Sequence, residues 1–331
     1  MTSKVKYMLL IFLFFFLALI AYFFVGSGKP ASKIKWGVNF SVKQTDFLGL
    51  DNRETYLALL DELNVKRIKI SVHWDLLEKE RNEFDFSEVD WQMAEAKKRN
   101  VDVILAIGMR TPRWPECHMP IWARNLDKDD QQQNILKMMA KVVNRYKDSP
   151  SLVGWQVENE AFLNFGACPW SDSGFLKQEV DFIKKIDDKH PIILTESGEL
   201  SLWMRSAVIG DIVGITTYRN VWQDQFNFYF SYHFPAVFYH RRAEIVRNVF
   251  KKEIIGVELQ AEPWCKQSII NASLDEQMIT LSLGQFYQNI DFAKKTGIDT
   301  FYFWGAEWWY WMKLKQNHPE FWEVAKIFIN Q

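Results

Sequence analysis

The sequence predicts an α/β protein built as one (β/α)8 barrel, and three observations carry that prediction. Eight short apolar runs recur between residues 34 and 306, helical patterns separate most of them, and no linker or compositional break divides residues 34–331. Strand and helix in alternation make a parallel sheet wrapped by helices. Eight such units over roughly 300 residues suffice to close a barrel. The rival architecture, an open doubly wound sheet, usually carries a glycine-rich phosphate turn after its first strand. Here the corresponding stretch, "GVNFSVKQTDF", has none.

In chain order the candidate strands are "IKWGVNFS", "VKRIKISV", "VDVILAIG", "SLVGWQVE", "PIILTES", "DIVGITTY", "EIIGVELQ" and "DTFYFWGA". Most are dense in Ile, Val and aromatic residues, as strands buried on both faces are. Apolar positions at helical spacing predict helices over residues 53–63, 87–99, 131–146, 173–187 and 274–295, with a last one near 321–329. The pattern is weaker over 234–250, and 200–207 is too short to assign.

Ahead of the barrel, Lys4 and Lys6 precede residues 7–25, a stretch without a charge and long enough to cross a hydrocarbon core as a helix. A secretory signal peptide has a shorter apolar region that ends in small residues spaced like Ala-x-Ala. Here Tyr22, Phe23, Phe24 and Val25 run directly into Gly26. The sequence therefore predicts an uncleaved transmembrane signal anchor over 7–25. Residues 1–6 would be cytoplasmic by the positive-inside rule, 26–33 ("GSGKPASK") a flexible linker, and 34–331 a single extracytoplasmic domain.

Forty basic against 41 acidic side chains, a net charge of −1, leave no electrostatic footprint for nucleic acid. The six histidines and three cysteines show no metal-ligand spacing, so neither a metal nor a cofactor is expected. Outside the cytoplasm Cys117, Cys168 and Cys265 allow one disulfide and a spare thiol. Cys117 and Cys168 both fall on loops at the expected active face and form the preferred pair. Oligomeric state is left open.

Barrel active sites form where strands end at their C-terminal side. The residues there are His73 and Trp74 after the second strand, Arg110 and Trp114 after the third, Asn159 and Glu160 after the fourth, and Glu196 after the fifth. Tyr218 follows the sixth, Glu258 lies in the seventh, and Trp304 and Glu307 follow the eighth. Glu160 and Glu258 would meet across the mouth. Two carboxyls flanking one bond are what glycoside hydrolysis needs: one protonates the departing oxygen, and the other attacks the anomeric carbon or activates water. Glu160 takes the acid role because a neighbouring anion makes its ionisation harder, and Glu258 takes the second, with Tyr218 donating to it.

Asn159-Glu160, Tyr218 in "GITTY", Glu258 near the end of the seventh strand and Trp304 on the eighth resemble the pattern of glycoside hydrolase clan A. The segment "SVHWDLLEKERNEFDFSEVDW" is similar to the region after the second strand in its cellulase-like and β-galactosidase-like members. The likeness covers essentially all of residues 34–331. It implies a retaining glycosidase working by double displacement on an oligo- or polysaccharide, with Glu160 as acid/base, Glu258 as nucleophile and Asn159 on the sugar 2-hydroxyl. Two departures from the pattern are Glu262, four residues past Glu258 and an alternative nucleophile, and the absence of the clan's arginine near the end of the second strand. Period-two alternation there puts Lys69, Ser71 and His73 on one face, and His73 is the expected substitute for sugar contact.

Structural roles compete with each assignment. An acidic residue at a helix start commonly serves the helix alone, and only the partner Glu258 lifts Glu160 above that reading. Glu158 reads as a solvated or salt-bridged neighbour. Trp304 and Trp114 suit stacking on a pyranose face, whereas Trp308, Trp309, Tyr310 and Trp311 also fit simple rim packing. Arg110 and Glu307 would bind hydroxyls, or pair with each other or with neighbours. Besides hydrolysis, the same pattern fits a non-catalytic carbohydrate-binding barrel or a transglycosylase that uses the same covalent intermediate.

Overall fold

The computed structural model describes residues 3–331. Ten strands follow in chain order: β1 (Lys35–Phe40), β2 (Arg67–Ser71), β3 (Asp102–Ile107), β4 (Leu152–Val157), β5 (Ile192–Ser197), β6 (Ile212–Thr217), β7 (Asn220–Gln223), β8 (Phe228–Ser231), β9 (Glu253–Gln260) and β10 (Thr300–Trp304). All but β7 and β8 are parallel and close as β1-β2-β3-β4-β5-β6-β9-β10, with β10 returning to β1. These eight are the strands expected from the apolar runs, so the candidate residues at their C-terminal ends share one face. The antiparallel hairpin β7–β8 is an unanticipated addition between the sixth and seventh barrel strands.

Inside the barrel Ile104, Ile193, Ile255, Val257 and Tyr302 pack into an apolar plug. Lys69, Gln156 and Glu258 are also buried and are joined by hydrogen bonds. The main core lies between the strands and the surrounding helices.

Two helical expectations change. The span 274–295 is two helices, Leu274–Thr280 and Leu283–Lys295. Ser282 accepts from the Gln285 N–H while the Gln285 side chain accepts from the Ser282 N–H, a reciprocal cap that starts a new helix. The aromatic run past β10 forms the helix Ala306–Lys315, in which Trp308, Trp309, Tyr310 and Trp311 are all buried. At the other end of the chain, α1 (Ser3–Phe24) is an exposed apolar helix long enough to cross a membrane.

Candidate active site

The turn after β4 holds two non-glycine residues in left-handed backbone, Glu158 at φ +56° and Glu160 at φ +42°. Side chains carrying a Cβ adopt that region reluctantly, so the surroundings must over-determine it. The Glu158 carboxylate accepts from the backbone N–H of Met109 (2.7 Å) and of Arg110 (2.8 Å). Gly108 makes this approach possible, because a Cβ there would lie 2.2 Å from Glu158 Oε1. The Glu160 N–H donates to Thr195 Oγ1 at 2.7 Å. Glu158 is thus a buried clamp and not the solvated neighbour anticipated, and burial raises its pKa and that of the adjoining buried Glu179. Glu158 is drawn inward because two N–H groups of the β3 loop need an acceptor there.

Glu160 and Glu258 converge. Thr216 on β6 donates to Glu160 Oε1 at 2.8 Å, and Thr216 is the register partner of Glu258 on β9. Glu258 in turn accepts from the Tyr218 hydroxyl at 2.7 Å on Oε2 and from Lys69 Nζ at 3.1 Å on Oε1. Lys69 also donates to Gln156 Oε1 at 3.0 Å. Burial, with the Glu258 charge adding to it, pushes the Glu160 carboxyl up to about 7. Burial lowers the Lys69 pKa, while the adjacent Glu258 opposes that shift.

Sequence reasoning missed two further groups here and placed a third, Lys69, without giving it a role. Lys69 stands where an arginine near the end of the second strand was sought, and its inward position on β2 was visible in the alternation. Glu116, on the loop after β3, accepts from Asn159 Nδ2 at 2.9 Å, and burial pushes it up to about 8, with Glu258 and Glu160 adding to the rise. Glu199, just past β5, accepts from the Tyr239 hydroxyl at 2.6 Å and is pushed by burial up to about 7. Nothing local in the sequence marks either carboxyl as facing the mouth. Cys117, next to Glu116, is bonded to Cys168, leaving Cys265 free.

The remaining candidates separate into distinct roles. Glu262 and Glu307 are both bound by Arg113, at 3.1 Å for Glu307, and the guanidinium lies 3.8 Å from the centre of the Trp304 ring. Glu262 also accepts from Gln44, and Glu307 from the Ser41 N–H. Arg110 does not reach Glu307; it holds the loop after β4 through the carbonyls of Leu163 and Phe165. His73 is buried with Nε2 2.8 Å from Ser41 Oγ and Nδ1 2.9 Å from Thr111 Oγ1, so both ring nitrogens are engaged. Burial holds its pKa well below the usual imidazole range. Glu196 accepts from the N–H groups of Trp203 and Ser206 and so fixes the segment after β5. Trp114 is 69% exposed, with its edge against Phe165. Among the described residues, no cluster of His, Cys, Asp and Glu is disposed to hold a metal ion.

The glycoside hydrolase family 42 model, described as Beta-galactosidase, matches residues 51–178. The same barrel recurs in solved structures at low sequence identity. A β-galactosidase from Halorubrum lacusprofundi aligns with TM-score 0.55 and 15% identity over 82% of this chain and 52% of its own. An endo-1,4-β-D-mannanase from Thermotoga petrophila gives 0.55 and 14% over 82% and 88%. The chain has the barrel fold of the clan A glycoside hydrolases. Another structure with this fold, an endo-β-1,4-xylanase from Gloeophyllum trabeum, gives 0.59 and 15% over 90% and 97%. The chain spans about half the length of two β-galactosidases that share this fold, the second from Rahnella sp. R3. A search of curated sequences finds no significant match.

Proposed function

We propose that this clan A barrel is a retaining β-glycosidase held at a membrane by α1, with Glu160 as acid/base and Glu258 as nucleophile. The observation that carries the reading is the unequal setting of the two carboxyls. Glu258 receives an ammonium and a phenol, whereas Glu160 is held up to about 7 beside it. A carboxyl held protonated beside one that is charge-paired is the division of acid and nucleophile this chemistry needs. The β-linkage follows the activities of proteins that share the fold, a β-galactosidase, a β-mannanase and a β-xylanase, and the family match makes a β-galactoside the first substrate to test.

In the first step Glu160 gives its proton to the glycosidic oxygen as the C–O bond breaks, and a Glu258 oxygen bonds the anomeric carbon, releasing the leaving alcohol. In the second, Glu160 takes a proton from water as that water attacks the same carbon and frees Glu258. Two inversions retain configuration. Lys69 and Tyr218 orient Glu258 and stabilise its charge when it departs. Asn159 is offered to the 2-hydroxyl, and Trp304 and Trp114 to the faces of the sugar. His73, Arg110 and Glu307 support the walls through the bonds described above.

Support for the anchor is the exposed apolar length of α1, which in water would leave an unusually large apolar surface uncovered. The decisive experiment is a 2-fluoro glycoside that accumulates the covalent intermediate. The labelled peptide should contain Glu258, Glu258→Gln should not be labelled, and Glu160→Gln should lose most turnover on an unactivated disaccharide. Labelling on Glu262, or full activity in both variants, would overturn the assignment.

A further inference from the structure

The hairpin β7–β8 presents an aromatic ladder that the chemistry at the mouth does not use. Phe226, Phe228 and Phe230 are 68%, 45% and 39% exposed. Their rings continue through Tyr232, Phe234 and Phe238 to Phe24 at the end of α1, in six steps of 4.9 to 6.4 Å between ring centres. The hairpin's other face is tied down. Trp222 and Tyr229 pack on each other at 4.9 Å, the Trp222 N–H donates to the Trp264 carbonyl, and the Tyr229 hydroxyl donates to Glu276. Strand alternation therefore sorts fixed residues to one side and uncovered phenylalanines to the other.

We propose that this face is a second membrane contact, a lipid-seated hairpin that orients the barrel on the bilayer; it rests on reading α1 as the anchor. Three features favour lipid over other occupants. The ladder is continuous with the terminus of α1, where the chain would leave the hydrocarbon and where aromatic residues concentrate. Its exposed rings are all phenylalanine, which has no polar tip to bind sugar hydroxyls but suits the boundary between headgroups and acyl chains. Arg241 caps the junction, with its guanidinium 4.6 Å from the centre of the Tyr22 ring and bonded to the Ala21 carbonyl, as a cation at headgroup depth would be. The hairpin begins two residues past Tyr218, and Gln260 pins that start by accepting from the N–H groups of Arg219 and Asn220. Seating it holds the catalytic mouth beside the lipid surface, which suits a substrate glycan borne at or near the membrane.

The test uses the full chain with Cys265→Ser, reconstituted in phosphatidylcholine–phosphatidylglycerol vesicles, and single spin labels at Gln225→Cys on the hairpin tip, Phe14→Cys in α1, and Val153→Cys at the start of β4 as an aqueous reference. Relative collision with oxygen and with a water-soluble nickel chelate reports depth. The Gln225 label should favour oxygen at least threefold over the Val153 label, and adding Phe226→Ser, Phe228→Ser and Phe230→Ser should return it to the reference value. A Gln225 label as wet as Val153, beside a Phe14 label in the bilayer, would overturn the hairpin contact alone; an aqueous Phe14 label would overturn the anchor with it. A wet Gln225 label that is immobilised by soluble oligosaccharide would make the ladder a sugar platform and likewise end the lipid assignment.

Discussion

Thr216→Val tests the acid assignment without touching either carboxyl. The Thr216 hydroxyl donates to Glu160 Oε1 at 2.8 Å and favours the ionised form, opposing the burial and the Glu258 charge that together hold Glu160 up at about 7. A hydrogen bond to a charged group contributes about 1.5–3 kcal/mol, so its loss should raise the carboxyl by about one to two further units. The assay is the pH dependence of kcat/KM, which reports groups of the free enzyme. The substrate must be a disaccharide with an alkyl leaving group, since an activated phenol departs without acid help and would hide the effect. The basic limb should move from about 7 to roughly 8–9 while the acidic limb stays in place. Stability provides an independent sign. Because the folded Glu160 pKa lies above the ordinary glutamate value of 4.5, the folded state holds the extra proton between them. Its contribution to stability therefore falls as pH rises through that window and levels off above about 7. In the variant the fall should continue for the further one to two units, so the two melting curves coincide below pH 4.5 and separate by about 1.5–3 kcal/mol at alkaline pH. A basic limb that stays put or moves down would refute the role of Glu160 as the acid.

Three more expectations follow from the same network. Lys69→Met strands Glu258 in a buried site, and removing one partner of a buried ion pair costs about 3–5 kcal/mol; urea denaturation should show that loss together with at least a hundredfold drop in kcat/KM, and a stable, active variant would sink the pairing. Arg113→Met leaves Glu262 and Glu307 without their cation. Burial already pushes Glu307 up to about 7 against the pull of Arg113, so thermal melts should show the variant's deficit growing as pH rises from 5 to 8. Reducing the disulfide between Cys117 and Cys168, 51 positions apart, should lower stability by about 4 kcal/mol on chain-entropy grounds, seen as a shift in the urea midpoint under reductant.

The barrel was legible because strands buried on both faces are continuous apolar runs, and eight of them in alternation with helices leave few topologies open. Glu160, Glu258 and Tyr218 were legible for the same reason, since the topology alone carries strand ends to one face. What failed to show is what tertiary packing decides. The helix over 274–295 keeps its apolar spacing through the break, and only the Ser282–Gln285 pair marks it. Strands β7 and β8 are four residues each, with only Val221 and Trp222 buried, so no buried run announces them. Lys69 lies within its strand instead of beyond it, and a search confined to strand ends passes over it in favour of His73, whose nitrogens the Ser41 and Thr111 hydroxyls occupy. Glu116 sits at φ +72° in the loop fastened by Cys117, and where such a loop points its side chain is set by the walls around it.

The distribution of cations is what makes this crowded acidic mouth chemically specific. Glu116, Glu160, Glu199, Glu258, Glu262 and Glu307 are all buried, and six adjacent anions would be prohibitively costly in one low-dielectric region. Arg113 binds Glu262 and Glu307 together with its guanidinium over the Trp304 ring, so one cation serves both buried carboxyls. Lys69 touches Glu258, and Tyr218 supplies that carboxylate with its second donor. Among the described residues, Glu160 and Glu199 have no ion pair and Glu116 has only the Arg110 guanidinium at 4.0 Å; burial pushes them up to about 7, 7 and 8, and lifts Glu307 to about 7 even against Arg113. The mouth therefore contains one carboxylate that is paired with an ammonium and accepts a phenol hydrogen bond, beside carboxyls whose affinity for protons burial raises. Of those carboxyls, Glu160 is the member hydrogen-bonded to the strand position paired with Glu258. A binding protein would need neither the ammonium on Glu258 nor a Glu160 held up to about 7 beside it.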